Sequence, residues 1–133
     1  MTCVLDASAA LSFVLADEFT DDSRRILDHV TQHRALVPSL WTYEVANGLR
    51  SALRRGRLTE RAIAQASVAL DRLPIEVVHE PPRFVELIAQ ATALGLSAHD
   101  AAYLILARER QLPLASRDGA LVRAASAIGI SLA

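Results

Sequence analysis

Short apolar runs alternate with longer stretches of helical period along the whole chain. Thr2 to Leu5 is an apolar run that ends at Asp6 and reads as a buried strand, and Ala7 to Leu15 then reads as a helix. Thr20 to Gln32 predicts a second helix, with Asp21 and Asp22 in its first turn, where acids favour the helix dipole. Ala35 to Val37 predicts a strand closed by Pro38. Leu40 to Arg55 carries Trp41, Val45, Leu49, Ala52 and Leu53 on one helical stripe and stops near Gly56. Thr59 is placed to cap a helix that runs to about Arg72. Ile75 to Val78 follows as a strand, Pro82 to Leu94 as a helix stopped by Gly95, and Ser97 to Arg110 as another helix. Leu112 to Ala115 is a strand, Gly119 to Ala127 a helix stopped by Gly129, and Ile130 to Leu132 a candidate last strand. Strands alternating with helices predict an α/β domain spanning residues 1–133, with a central mostly parallel sheet flanked by helices.

Composition narrows this picture. Of 133 residues 52% are hydrophobic, enough for a substantial core. The single cysteine, Cys3, sits in the first apolar run, so no internal disulfide is expected and a reducing cytoplasm fits. No run of about 20 apolar residues predicts a membrane span, and the first residues lack the basic segment of a signal peptide. All 14 basic residues are arginine. The missing lysine removes Walker-type phosphate binding. It also argues against the receiver and haloacid-dehalogenase-like phosphotransfer domains, which place an aspartate after the first strand but use a lysine beside it.

Four acids stand out, each with an ordinary explanation. Asp6 and Asp118 follow predicted strands and open helices, as N-caps do. Asp100 completes a Ser97-Ala98-His99-Asp100 capping pattern. Glu44 borders the stripe of its helix, as a solvated flank would. Their joint placement is less ordinary. Asp6 and Asp118 lie past the C-terminal ends of predicted parallel strands, the edge where open α/β sheets hold ligands. Carboxylates brought within about 4–6 Å raise one another's pKa unless a cation intervenes, and a hard divalent ion suits oxygen ligands. The i, i+4 pair His29 and His33 lacks an acid between its members and reads as a solvated face. Arg50, Arg54, Arg55, Arg57 and Arg61 gather near the end of the Glu44 helix and form a candidate RNA-backbone patch.

Read together, VLDASAAL, PSLWTYEVANGLR with Glu44, LSAHDAAYLILA and LPLASRDGALVRAA resemble the PIN domain, and more narrowly the toxin nucleases of VapBC-type toxin–antitoxin systems. The resemblance covers nearly the whole chain in the family's order. It implies a metal-dependent endoribonuclease whose four acids surround one or two Mg²⁺ or Mn²⁺ ions. By motif, Asp6 and Asp100 match the main metal ligands. Glu44 and Asp118 match the remaining acids, and Ser8 and Ser116 the small hydroxyl positions beside them. Ser116 stands where threonine is more usual. Two such ions, about 3.5–4 Å apart, or one, would activate water and offset phosphate charge without a histidine base. The resemblance also implies a homodimer held inactive by a cognate VapB-like antitoxin, bound along an apolar groove near Leu11, Phe13, Leu15 and the Leu40–Leu53 helix. A PIN nuclease of RNA processing outside a toxin system, and a non-catalytic protein-binding α/β domain, remain as alternatives.

Overall fold

The computed structural model describes residues 1–133. Four parallel strands form the sheet: β1 (Cys3–Leu5), β2 (Ala35–Pro38), β3 (Ile75–Val78) and β4 (Leu114–Ala115), in the order β3-β2-β1-β4. Val4 of β1 pairs with Leu36 on one side and Leu114 on the other. All three residues of β1 are fully buried, as expected for a strand covered on both faces. β4 is shorter than its apolar run: Leu112 and Pro113 lie outside it, and the candidate last strand is reduced to one bridge from Leu132 to Leu114. Pro113 has no N–H to give the ladder.

Seven helices cover the sheet: α1 (Ala7–Val14), α2 (Asp21–His33), α3 (Leu40–Arg54), α4 (Glu60–Asp71), α5 (Phe84–Leu94), α6 (Ala98–Arg110) and α7 (Gly119–Ala127). The unbroken apolar run Ala101–Ala107 is explained by α6, which is buried all round. It packs between the sheet, touching β1, β2 and β4, and α5 on its outer side. α5 buries none of its own residues and begins at Phe84, two residues after the expected Pro82. α1 crosses α3 closely at Gly48, where an added Cβ would lie 2.5 Å from Leu11 Cδ1. The core runs through these layers, with Val4, Leu5, Val37, Tyr103, Leu104 and Leu121 among its fully enclosed side chains. No helix is long and apolar enough to cross a membrane.

The strand order sets the place of a site. From β1 the chain moves to β2 and β3 on one side, whereas β4 returns on the other. The order therefore switches direction between β1 and β4, and such a switch opens a crevice at the C-terminal ends of the strands.

Candidate active site

Asp6 is the first residue after β1 and enters that crevice. It is the N-cap of α1, with Oδ1 accepting the Ala9 N–H at 2.9 Å. Its side chain is almost wholly enclosed, at 3% exposure. The remaining partners are hydroxyls: Ser8 Oγ donates to both carboxylate oxygens at 2.8 and 2.9 Å, and Ser116 Oγ donates to Oδ2 at 2.5 Å. No cation pairs with it. Burial pushes its pKa from 3.8 up to about 6; the hydrogen bonds from Ser116, Ala9 and Ser8 oppose the rise, and the nearby Asp118 charge adds to it.

Asp118 arrives from the other side of the switch point. It is the N-cap of α7, and Oδ1 accepts the N–H groups of Ala120 and Leu121, which leaves Oδ2 without a protein partner. Its own N–H donates to Ser116 Oγ at 3.0 Å, so one hydroxyl ties it to Asp6. Asp100 sits in the first turn of α6, half-buried. The Ser97 hydroxyl accepts its N–H at 3.1 Å, but the carboxylate does not complete the capping box by taking the Ser97 N–H. Burial first, then the Asp118 charge, raise its pKa, and the Ser97 hydroxyl and His99 oppose the rise. Glu44, one turn into α3, accepts a short 2.5 Å hydrogen bond from the buried Tyr103 hydroxyl on Oε1. Its Oε2 lies 3.9 Å from His99 Nδ1. Tyr103 feels both Glu44 and Asp6, and burial with those charges keeps its phenol protonated.

Of the four predicted acids, Asp6 and Asp118 are joined through the Ser116 hydroxyl, Asp100 feels the Asp118 charge, and Glu44 is held by Tyr103 and lies near His99. Capping and site geometry coexist for Asp6, Asp100 and Asp118, because a helix N-terminus both places and stabilises a carboxylate. The donor set is all hard oxygen, which suits Mg²⁺ or Mn²⁺ and not a thiolate-seeking metal. No three acid, histidine or cysteine side chains stand close enough to surround one ion directly.

The arginines expected to form an RNA-backbone patch lie toward and beyond the C-terminal end of α3. α3 runs away from the crevice, so Arg54, ten residues beyond Glu44, lies about 15 Å further along the helix axis. Arg57 is already engaged, donating to both oxygens of Asp17 and to Glu18 at 2.7–3.2 Å. Arg50 lines an apolar cleft between α3, α4 and β3, and Arg54, Arg55 and Arg61 point to solvent. Two residues escaped the sequence reading. Tyr103, one turn after Asp100, carried a signal in that spacing but looked like core. Arg117 stands between Ser116 and Asp118; its N–H donates to Ser8 Oγ at 2.9 Å and its guanidinium pairs with Asp22 at 2.8 Å.

A family model described as PIN domain matches residues 3–127. Among solved structures, the chain is similar to the crystal structure of PAE2754 from Pyrobaculum aerophilum, at 24% identity and a TM-score of 0.72. The alignment covers 93% of this chain and 84% of that one, and at such identity the likeness speaks for the fold alone. Among curated proteins nothing matches the chain.

Proposed function

The chain belongs to the PIN domain family, and we propose that it is a divalent-metal-dependent endoribonuclease acting in the cytoplasm as the toxin of a VapBC-type toxin–antitoxin pair. PIN domains are typically nucleases. The observation that carries the reading is Asp6: an enclosed carboxylate, its pKa raised to about 6, with the Asp118 charge nearby and no cationic partner. Near neutral pH such a group is mostly ionised at a cost, and a bound cation offsets that cost.

Asp6 and Asp100 would hold the ion directly, with Glu44 and Asp118 acting through water. When bound, the ion supplies an acidified water and neutralises phosphate charge. The chain's own groups do the rest. Ser8 and Ser116 fix both oxygens of Asp6, and Tyr103 fixes one oxygen of Glu44. Burial of Asp6 keeps bulk water from competing for it.

The antitoxin and the dimer are part of the same proposal. Leu11 is packed against Gly48, so the α1 side of α3 is closed. An apolar cleft of about 480 Å³ opens on its other side, lined by Trp41, Val45, Leu49, Ile63, Leu70 and Val77. An antitoxin segment with apolar side chains would lie there. A second copy would cover Phe84, Val85 and Ile88, which α5 leaves 82, 78 and 62% exposed. The test of the activity is cleavage of an RNA panel by antitoxin-free protein in Mg²⁺, Mn²⁺ or EDTA. Metal-dependent cleavage lost in folded Asp6→Asn and Asp100→Asn is the expected result. Cleavage that persists in either variant overturns the assignment of ligands, and cleavage in EDTA overturns the metal.

A further inference from the structure

An RNA strand approaching the acids needs positive charge close to them, since the chain's net charge is −1. Beside Ser116, outside β4, a pocket of about 300 Å³ opens between α2 and α7, with Asp22, Arg25, Ser116, Arg117 and Gly119 in its wall. Two guanidiniums converge there on one carboxylate. Arg117 Nη1 meets Asp22 Oδ2 at 2.8 Å, and Arg25 Nη2 meets Asp22 Oδ1 at 2.7 Å. Arg25 is held a second time, its Nη1 donating to the Ala133 O at 2.6 Å, so Arg117, whose guanidinium meets only Asp22, is the freer of the two. Both pairs are open to solvent, with side chains 31–56% exposed, so they are weakly held and exchangeable. The pocket is also tied to the acids. Ser116 lines it and donates to Asp6, and the Arg117 N–H donates to the same Ser8 hydroxyl that holds Asp6.

We infer that this pocket is a subsite for a backbone phosphate of the RNA strand next to the bond that is cut, gripped by Arg117 and Arg25. Asp22 is the internal competitor that the phosphate displaces. The inference rests on the nuclease reading. The forked guanidinium matches phosphate oxygens two at a time, and a pair of forks already aimed at two oxygens of one anion needs little rearrangement to take another. The subsite also solves an electrostatic problem, because it sets positive charge at the rim of a crevice lined by carboxylates.

The test is fluorescence anisotropy with a labelled single-stranded RNA of about 20 nucleotides, in EDTA so that it is not cut, over about 50–200 mM salt. Arg117→Gln and Arg25→Gln should each weaken binding about 5-fold and reduce the slope of log affinity against log salt by about 0.7, the value for one phosphate contact on a single strand. Asp22→Asn should tighten binding about 3-fold, because the competitor is gone. A merely structural role for the cluster requires the reverse for Asp22→Asn, since both pairs are lost and the loop before Asp118 is loosened. Thermal melts would establish that each variant is folded. Arginine variants that bind as wild type does, or an Asp22→Asn variant as weak as they are, overturn the subsite while leaving the nuclease reading intact. A wild-type protein that binds no RNA overturns both.

Discussion

Replacing Asp6 by Asn should make the metal-free protein more stable at neutral pH, and less stable once metal is present. The folded-state pKa of Asp6 is about 6 against an ordinary 3.8. A raised acid is protonated in the folded chain while the unfolded chain has already lost its proton, so stability falls as pH climbs from about 4 to 6 and stays low above. At roughly 1.4 kcal/mol per pH unit, the gap corresponds to about 3 kcal/mol of destabilisation at pH 8. Asn carries no charge and retains an oxygen for the Ala9 N–H, so the cap of α1 survives. Its amide fits the Ser8 and Ser116 hydroxyls less well, at a cost of about 1 kcal/mol. The net gain at pH 8 is therefore about 2 kcal/mol, or roughly 6 °C in melting temperature for a chain of this size. Near pH 4 the gain disappears and the variant is weaker by about 1 kcal/mol. The assay is urea unfolding of both proteins in EDTA from pH 4 to 8, repeated with Mn²⁺. Saturating Mn²⁺ at about a hundred times its dissociation constant should add about 2.7 kcal/mol to wild type, little to the variant, and reverse their order. An Asp6→Asn protein that is weaker than wild type at pH 8 in EDTA, or a difference that does not change with pH, refutes the reasoning.

Tyr103→Phe removes the hydroxyl that holds Glu44 and should lower kcat about 10-fold with little change in KM, at a stability cost of about 1 kcal/mol; an unchanged kcat in a steady-state assay would show that Glu44 needs no such support. Ser116→Ala deprives Asp6 of a donor that holds its pKa down, so the acid limb of the pH–rate profile should move to higher pH, and a limb that stays in place argues against Asp6 as the group that must ionise. Arg34, at the end of α2, has φ 71° and ψ 169°, a region suited only to glycine. Arg34→Gly should stabilise the protein by about 1 kcal/mol, the relief of strain exceeding the extra backbone entropy, as read by urea unfolding. In sedimentation velocity, a dimer built on α5 should dissociate on Phe84→Ser with Ile88→Ser, since both side chains are exposed and their loss leaves the core intact.

Much of the architecture was readable because two local signals agreed at each boundary. Apolar runs marked β1, β2 and β3, and a capping residue or a glycine marked most helix ends; Gly95, with φ 65°, closes α5 as its position suggested. β4 was overestimated because composition does not show which backbone groups find a partner: Pro113 gives its carbonyl to the Val4 N–H at 2.9 Å but has no N–H of its own to pair. The placement of Asp6 and Asp118 was readable, since a junction from strand to helix fixes where a side chain emerges. What the sequence hid was long-range. Tyr103 looked like one more core residue in a run of seven, yet its hydroxyl reaches Glu44, 59 positions away. Nor does nearness in sequence give distance in space: Arg54, ten residues beyond Glu44 on α3, lies about 15 Å further along the helix axis.

The carboxylates of Asp6 and Asp118 cap helices and also face the candidate site, and this double use has a consequence for how the fold keeps its site in shape. A cap is satisfied by one oxygen: Asp6 and Asp118 each give Oδ1 to backbone N–H groups. The second oxygen is then already aimed, because the helix fixes the plane of the carboxylate. Helix formation thus orients the acids before any ligand arrives, and the side-chain entropy is lost on folding and not on binding. Serines at positions 8 and 116 extend the same logic, since a hydroxyl can hold a carboxylate in place without cancelling its charge, as an arginine would. An Arg in place of Ser8 or Ser116 would satisfy Asp6 electrostatically and remove its demand for a cation. The nearest guanidinium, Arg117, is instead turned to Asp22, which keeps it within reach of a strand at the rim and out of the acidic centre.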